Sequence, residues 1–205
     1  MLIAERLLLI ACEPLTGETL WPRAQPSPSL VVAGAVASEL LTQGRLALRN
    51  GVFRADTRIP TGHPLLNTAL NSIGHQDVDA ASLLRAIAHR MDPIVTRILD
   101  GLYRRDILHR VSQRNWLLRR KLFYPVRSMQ ARNEAVDALR TASHNAELNG
   151  LAFLFLADVS GLLAASLRAQ DHAPAEQRIL ALNHVTSESS EPMRGLAHIR
   201  FALLS

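Results

Sequence analysis

The residues of this chain that could perform covalent or metal chemistry are thinly spread. Histidines stand at positions 63, 75, 89, 109, 144, 172, 184 and 198, and none belongs to an H-E-x-x-H pair or to a short His/carboxylate cluster of the kind that holds zinc or iron. Cys12 is the single cysteine, which rules out an internal disulfide and a thiolate metal cluster and is compatible with a reducing compartment. Ser160-Gly161 lacks the frame of a nucleophile elbow, and no glycine-rich phosphate loop is present. These patterns predict no enzyme, no metal and no cofactor.

The chemistry that remains is anion recognition. Lys and Arg total 23 against 18 Asp and Glu, a formal charge of +5, and Lys121 is the only lysine. Arginine's planar fork grips phosphate in bidentate fashion where lysine offers a point charge, although a genome that favours arginine codons gives the same bias. Between Arg104 and Arg132 the cations Arg104, Arg105, Arg110, Arg114, Arg119, Arg120, Lys121, Arg127 and Arg132 face Asp106 alone. Beside an anionic membrane each such residue contributes about 1 kcal/mol in a salt-sensitive way. Taken singly, each is as readily a solvated or ion-paired surface group.

Trp21 sits in a segment with prolines at 14, 22, 26 and 28, followed by Arg23. An indole with a polar N–H suits a membrane interface; the bland alternative is a ring tucked over the first helix. Arg90 and Arg97 supply further cations in mid-chain, and Trp116 and Leu118 alternate with Leu117 beside Arg114, Arg119, Arg120 and Lys121. That alternation puts at least one large apolar side chain on an outer face if the segment projects, fit for self-association or membrane contact.

The elements that must position these groups read as mainly helical. Apolar residues reach 48% while aromatics are only 4%, a core of Leu, Ala, Val and Ile that suits helix packing. The spacing predicts helices over 2–11, 30–43, from Pro64, and over 79–90, 93–105, 128–147, 150–168, 173–184 and 193–204. Asn50-Gly51 between 45–49 and 52–55 predicts a hairpin. A second, longer one is expected with strands at 107–111 and 116–123 and its turn at 112–115. The length fits one domain, 1–205. Glu5 and Arg6 interrupt the apolar amino terminus and argue against a signal peptide there. The run Leu151 to Leu167 falls short of the ~20 residues of a membrane span, so it is expected to be a buried core helix.

Several segments, in order along the chain, resemble the Golgi phosphoprotein 3-like family: Glu5-Arg6-Leu-Leu-Leu9, Trp21, Glu39-Leu40 with Gly44-Arg45, Pro60-Thr-Gly-His-Pro-Leu-Leu66, Leu102 to Leu108, Tyr124-Pro-Val126 and Leu151 to Leu163. The resemblance implies a single mainly α domain with a central apolar helix wrapped by others and two short β-hairpins. In eukaryotic members it further implies recognition of phosphatidylinositol 4-phosphate, contact with cytoplasmic tails of membrane proteins, and self-association through a hairpin, here 107–123. The family's lipid site sets a loop tryptophan, matched by Trp21, beside basic residues. Its second-helix arginine falls at Ala33 and its mid-chain arginines at Asp92 and Val95, with Arg97 at a neighbouring basic position.

The expected function is therefore a peripheral membrane protein that binds anionic lipid head groups through Trp21, Arg23, Arg90 and Arg97, with less head-group selectivity than its eukaryotic relatives. Its expected location is cytoplasmic, at the Golgi only in a eukaryote; the arginine bias is compatible with a bacterial source. The competing reading is a winged-helix-like nucleic-acid-binding protein, since helix followed by hairpin occurs twice and the second copy is basic. Against it, 93–105 carries Ile94, Val95, Ile98, Leu99 and Leu102 where a recognition helix needs an Asn/Gln/Arg row.

Overall fold

A computed structural model of the chain describes residues 1–22, 26–56, 60–74, 76–114, 120–145 and 147–205, with the backbone alone at Arg114 and Arg120. It is mainly helical with two small antiparallel hairpins. The interior is built on helices that carry apolar residues on every side. In α2 (Pro28–Thr42) Val31 through Ser38 are all buried, and in α7 (Leu148–Val159) Leu151 through Ala157 are. Helices without a polar face must be enclosed by others, and these two pack on each other. Around them lie α1 (Ile3–Ala11), α4 (Ala80–Arg90), α5 (Ile94–Arg104), α6 (Met129–His144) and α10 (Glu191–Leu204).

Helix starts follow their local chemistry. Ser27 accepts a hydrogen bond from the Leu30 amide ahead of Pro28, which has no amide hydrogen to satisfy. His63 Nδ1 accepts from the Leu65 amide at 3.3 Å and opens α3 (Pro64–Ile73), while Asp79 accepts from the Ser82 amide at 2.8 Å and opens α4.

The first hairpin pairs β1 (Leu46–Arg49) with β2 (Val52–Ala55) around Asn50 and Gly51, whose φ angles of 51° and 80° are those of a type I′ turn. Phe53 is fully buried, edge-on to the His198 ring of α10, and Glu191 of α10 accepts from the Leu48 amide at 3.0 Å. The second hairpin pairs β3 (Val111–Arg114) with β4 (Arg120–Phe123), Arg114 opposite Arg120.

Four sequence expectations are corrected. The strand expected at 107–111 begins only at Val111, and 112–114 are strand instead of turn; Leu108 instead bridges Val126. The helix expected over 150–168 is broken at Ser160-Gly161, where Gly161 takes a left-handed φ of 79°, and resumes as the short α8 (Leu162–Ser166). The helix expected over 173–184 starts earlier, as α9 (Ala169–Ala181), which holds Pro174 in its interior and passes into a 3-10 turn at Leu182–His184. The helix expected from Leu30 opens at Pro28.

The segment 13–20 is pinned at several points. The Leu20 amide donates to the Ala11 carbonyl, the Tyr124 amide to the Gly17 carbonyl and the Val126 amide to the Pro14 carbonyl, each at 2.8–2.9 Å. This loop therefore rests on the backbone that follows β4. Among the described residues no helix is long and apolar enough to cross a membrane.

Candidate functional site

Two clefts bear the mid-chain arginines, and both are by-products of how amphipathic helices face the core. In α4, Leu83, Leu84 and Ile87 turn inward, which leaves Arg85, His89 and Arg90 outside. With Leu30 of α2, Ala86, Ala88 and Asp92 they line a shallow hollow of about 660 Å³. Arg90 also donates through Nη1 to the Ser72 carbonyl at 2.5 Å, one of the carbonyls left unpaired at the end of α3. That bond uses part of its donor set and clips α4 to α3.

In α5, Ile94, Ile98, Leu99 and Leu102 are buried, and Arg97, Tyr103 and Arg104 are exposed. Together with Pro64, Leu65, Thr68, Met91, Asp100 and Arg110 they enclose a cleft of about 560 Å³ between α3 and α5. Asp100 accepts from the Tyr124 hydroxyl at 2.9 Å and from Arg110 Nη1 at 3.3 Å, and the Arg110 guanidinium lies 5.6 Å from the centre of the Tyr103 ring. Burial, aided by the hydrogen bond to Asp100 and its charge, pushes the Tyr124 hydroxyl up to about 12. The group is a neutral donor at physiological pH. Among the described residues Arg97 and Arg104 make no side-chain hydrogen bond or ion pair.

The structure thus separates Arg90 from Arg97, which line different cavities. Trp21 is half-buried against the core and lines neither. Arg23 lies outside the described residues, as do Trp116, Leu118 and Arg119 of the second hairpin, while Arg114 and Arg120 are placed only by their strand register. Ala33, where the resemblance sets a family arginine, is fully buried in α2. Asp92 is exposed on the rim of the first hollow and puts an anion where the resemblance sets a cation.

The basic stretch is less open than its sequence. Arg105 Nη2 meets Glu5 Oε1 at 2.6 Å, Lys121 Nζ meets Glu18 Oε1 at 3.1 Å, Arg127 pairs with Asp106, and Arg110 with Asp100. Lys121 also lies over the Phe123 ring at 4.8 Å. Arg85 escaped the sequence reading, although its position four residues before His89, on the face opposite Leu83 and Ile87, marked it as an outward cation. Arg104 and Arg110 were visible only as members of the run.

A comparison with curated proteins found no match. The model of the family described as Golgi phosphoprotein 3 (GPP34) matches residues 3–196. That span takes in α1 through α9, the start of α10 and both arginine-bearing clefts, and the chain belongs to the Golgi phosphoprotein 3 family.

Proposed function

We propose that the chain is a peripheral membrane protein that docks on anionic lipid surfaces and holds head groups at the hollow formed by Arg85, His89, Arg90 and Leu30. The observation that carries this reading is the outward set of cations on α4 beside the entry to α2, in a member of a family whose eukaryotic representatives are associated with the Golgi. Arg85 and Arg90 supply guanidinium forks, and Leu30 and the two alanines supply an apolar floor. Asp92 on the rim lowers the net charge, so the site selects for charge more than for one head group. The ion-paired members of the basic stretch, Arg105, Arg110, Lys121 and Arg127, add only weak long-range attraction, because paired surface charges largely cancel at a Debye length of about 8 Å.

Co-sedimentation with vesicles tests this. Phosphatidylcholine vesicles containing phosphatidylglycerol should retain several-fold more protein than phosphatidylcholine alone, the excess should fall with added salt, and Arg85→Gln with Arg90→Gln should remove most of it. Equal retention on neutral and anionic vesicles overturns the proposal. Duplex DNA at the same ionic strength decides the competing reading: retention on DNA that exceeds retention on vesicles favours a nucleic-acid partner.

A further inference from the structure

We propose that the cleft between α3 and α5 is a second, separate anion site, which takes a small phosphomonoester on Arg97 and Arg104. These two residues are seven apart on one helix, nearly the same angular position, with their Cα atoms about 10 Å apart along the axis. Both are exposed and both line the cleft, a separation that two long side chains can close onto one phosphate. Arg110, on the opposite wall, has its charge engaged by Asp100 and by the Tyr103 ring. Its remaining donors can still face the cleft, but its charge is already balanced.

The count of charges names the ligand class. Arg97, Arg104 and Arg110 stand against Asp100, which leaves two positive charges without a counter-ion among the lining residues. A phosphomonoester carries about −1.5 to −2 at neutral pH and a diester about −1, so the monoester is the closer match. Guanidinium forks bind phosphate oxygens in pairs. Arg97 and Arg104 are also the cations of this region with no competing partner among the described residues. The partially positive amino end of α3 reaches the same cleft through Pro64, Leu65 and Thr68.

Leu65 and Met91 give the cleft an apolar wall for the carbon skeleton of the ester, and its volume of about 560 Å³ accommodates a phosphorylated polyol. Such a group exists both as a soluble ester and as the head of a lipid such as phosphatidic acid; the chemistry at the two guanidiniums is the same. The site does not depend on the docking proposed above, since it shares none of the residues of the α4 hollow.

Titration calorimetry of the full chain with glycerol 3-phosphate and with dimethyl phosphate, a monoester and a diester, tests the class directly. Saturable binding of the monoester, at least about tenfold tighter than the diester, is expected. Arg97→Gln with Arg104→Gln should weaken it by at least that factor, the paired lysine substitutions less, and Arg168→Gln, at the residue before α9 and outside the cleft, not at all; thermal melts of each variant check that it is folded. No saturable monoester binding, equal binding of the diester, or a folded glutamine double variant that binds like the parent overturns the inference. Vesicles containing phosphatidic acid then assign the source. Retention that depends on Arg97 and Arg104 points to a lipid, and retention indifferent to them points to a soluble ester. The part of the retention on phosphatidylglycerol vesicles that is lost in Arg85→Gln with Arg90→Gln reports on the α4 hollow, so either site can fail without the other.

Discussion

Glu5 shows how much of the residue-scale chemistry lies beyond a local reading. In sequence it is a blemish in an apolar stretch; in the fold its carboxylate is almost fully enclosed, with Oε1 on Arg105 at 2.6 Å and Oε2 on the Leu2 amide at 2.9 Å. His63, from the Pro60-Thr-Gly-His-Pro64 segment, brings Nε2 to within 3.8 Å of Oε1, the oxygen that Arg105 holds. Two pieces of the family resemblance therefore meet at one buried carboxylate, and both serve the fold. Glu5→Gln is expected to lower stability by about 1–2 kcal/mol, an amount reduced by the exposure of Arg105, read as a lower urea midpoint at unchanged slope. The same logic explains the site. Arg90 and Arg97 were visible as cations, but Glu5 and Glu18, which engage Arg105 and Lys121 of the neighbouring basic stretch, lie about a hundred residues before their partners. Nothing in the order of residues announces those partnerships.

At the level of elements, legibility followed the strength of the punctuation. Asn50-Gly51 has one structural use at that spacing, and the first hairpin lies where it was expected. Ser160-Gly161 interrupts an apolar run without changing its hydrophobicity, so periodicity passes through a break that only the left-handed Gly161 makes. Pro174 sits more than a full turn inside α9, a place where proline is disfavoured, so the turn that precedes it, from Ala169, carries no start signal of its own. Gly17 is the sharpest element-scale constraint. Its φ is 72°, and a Cβ there would meet the Pro125 nitrogen at 2.2 Å and the Tyr124 carbonyl carbon at 2.4 Å. Backbone atoms cannot step aside as a side-chain tip can. Gly17→Ala should therefore cost at least about 2 kcal/mol and detach the 13–20 loop from the backbone that follows β4. Gly51→Ala, with a φ of 80° but open space around it, should cost only about 1 kcal/mol. Denaturation of the two variants side by side separates packing from conformational strain.

For the molecule as a whole, pH and chain order set the remaining expectations. Burial pushes the Cys12 thiol from 9.0 up to about 12, against smaller opposing effects of Arg132 and Thr19, and Tyr124 moves from 10.0 to about 12. Both groups are held neutral in the folded chain and lose their protons more easily once it unfolds. Stability from these groups is complete below about pH 9 and declines as the pH climbs toward 12. A lower urea midpoint at about pH 10.5 than at about pH 8 is the expected result, and Cys12→Ala should lessen the drop. The crossing of α2 and α10 has a different kind of consequence. A Cβ on Gly34 would meet Leu203 Cδ1 at 2.9 Å, and one on Gly195 would meet Leu41 Cδ2 at 2.5 Å. The two helices are thus shaped to one another although nearly the whole chain separates them. In the order of synthesis α1, α4, α5 and α7 all precede α10, so they can cover most of α2 while the face that carries Gly34 and Leu41 stays open until α10 follows and closes it last.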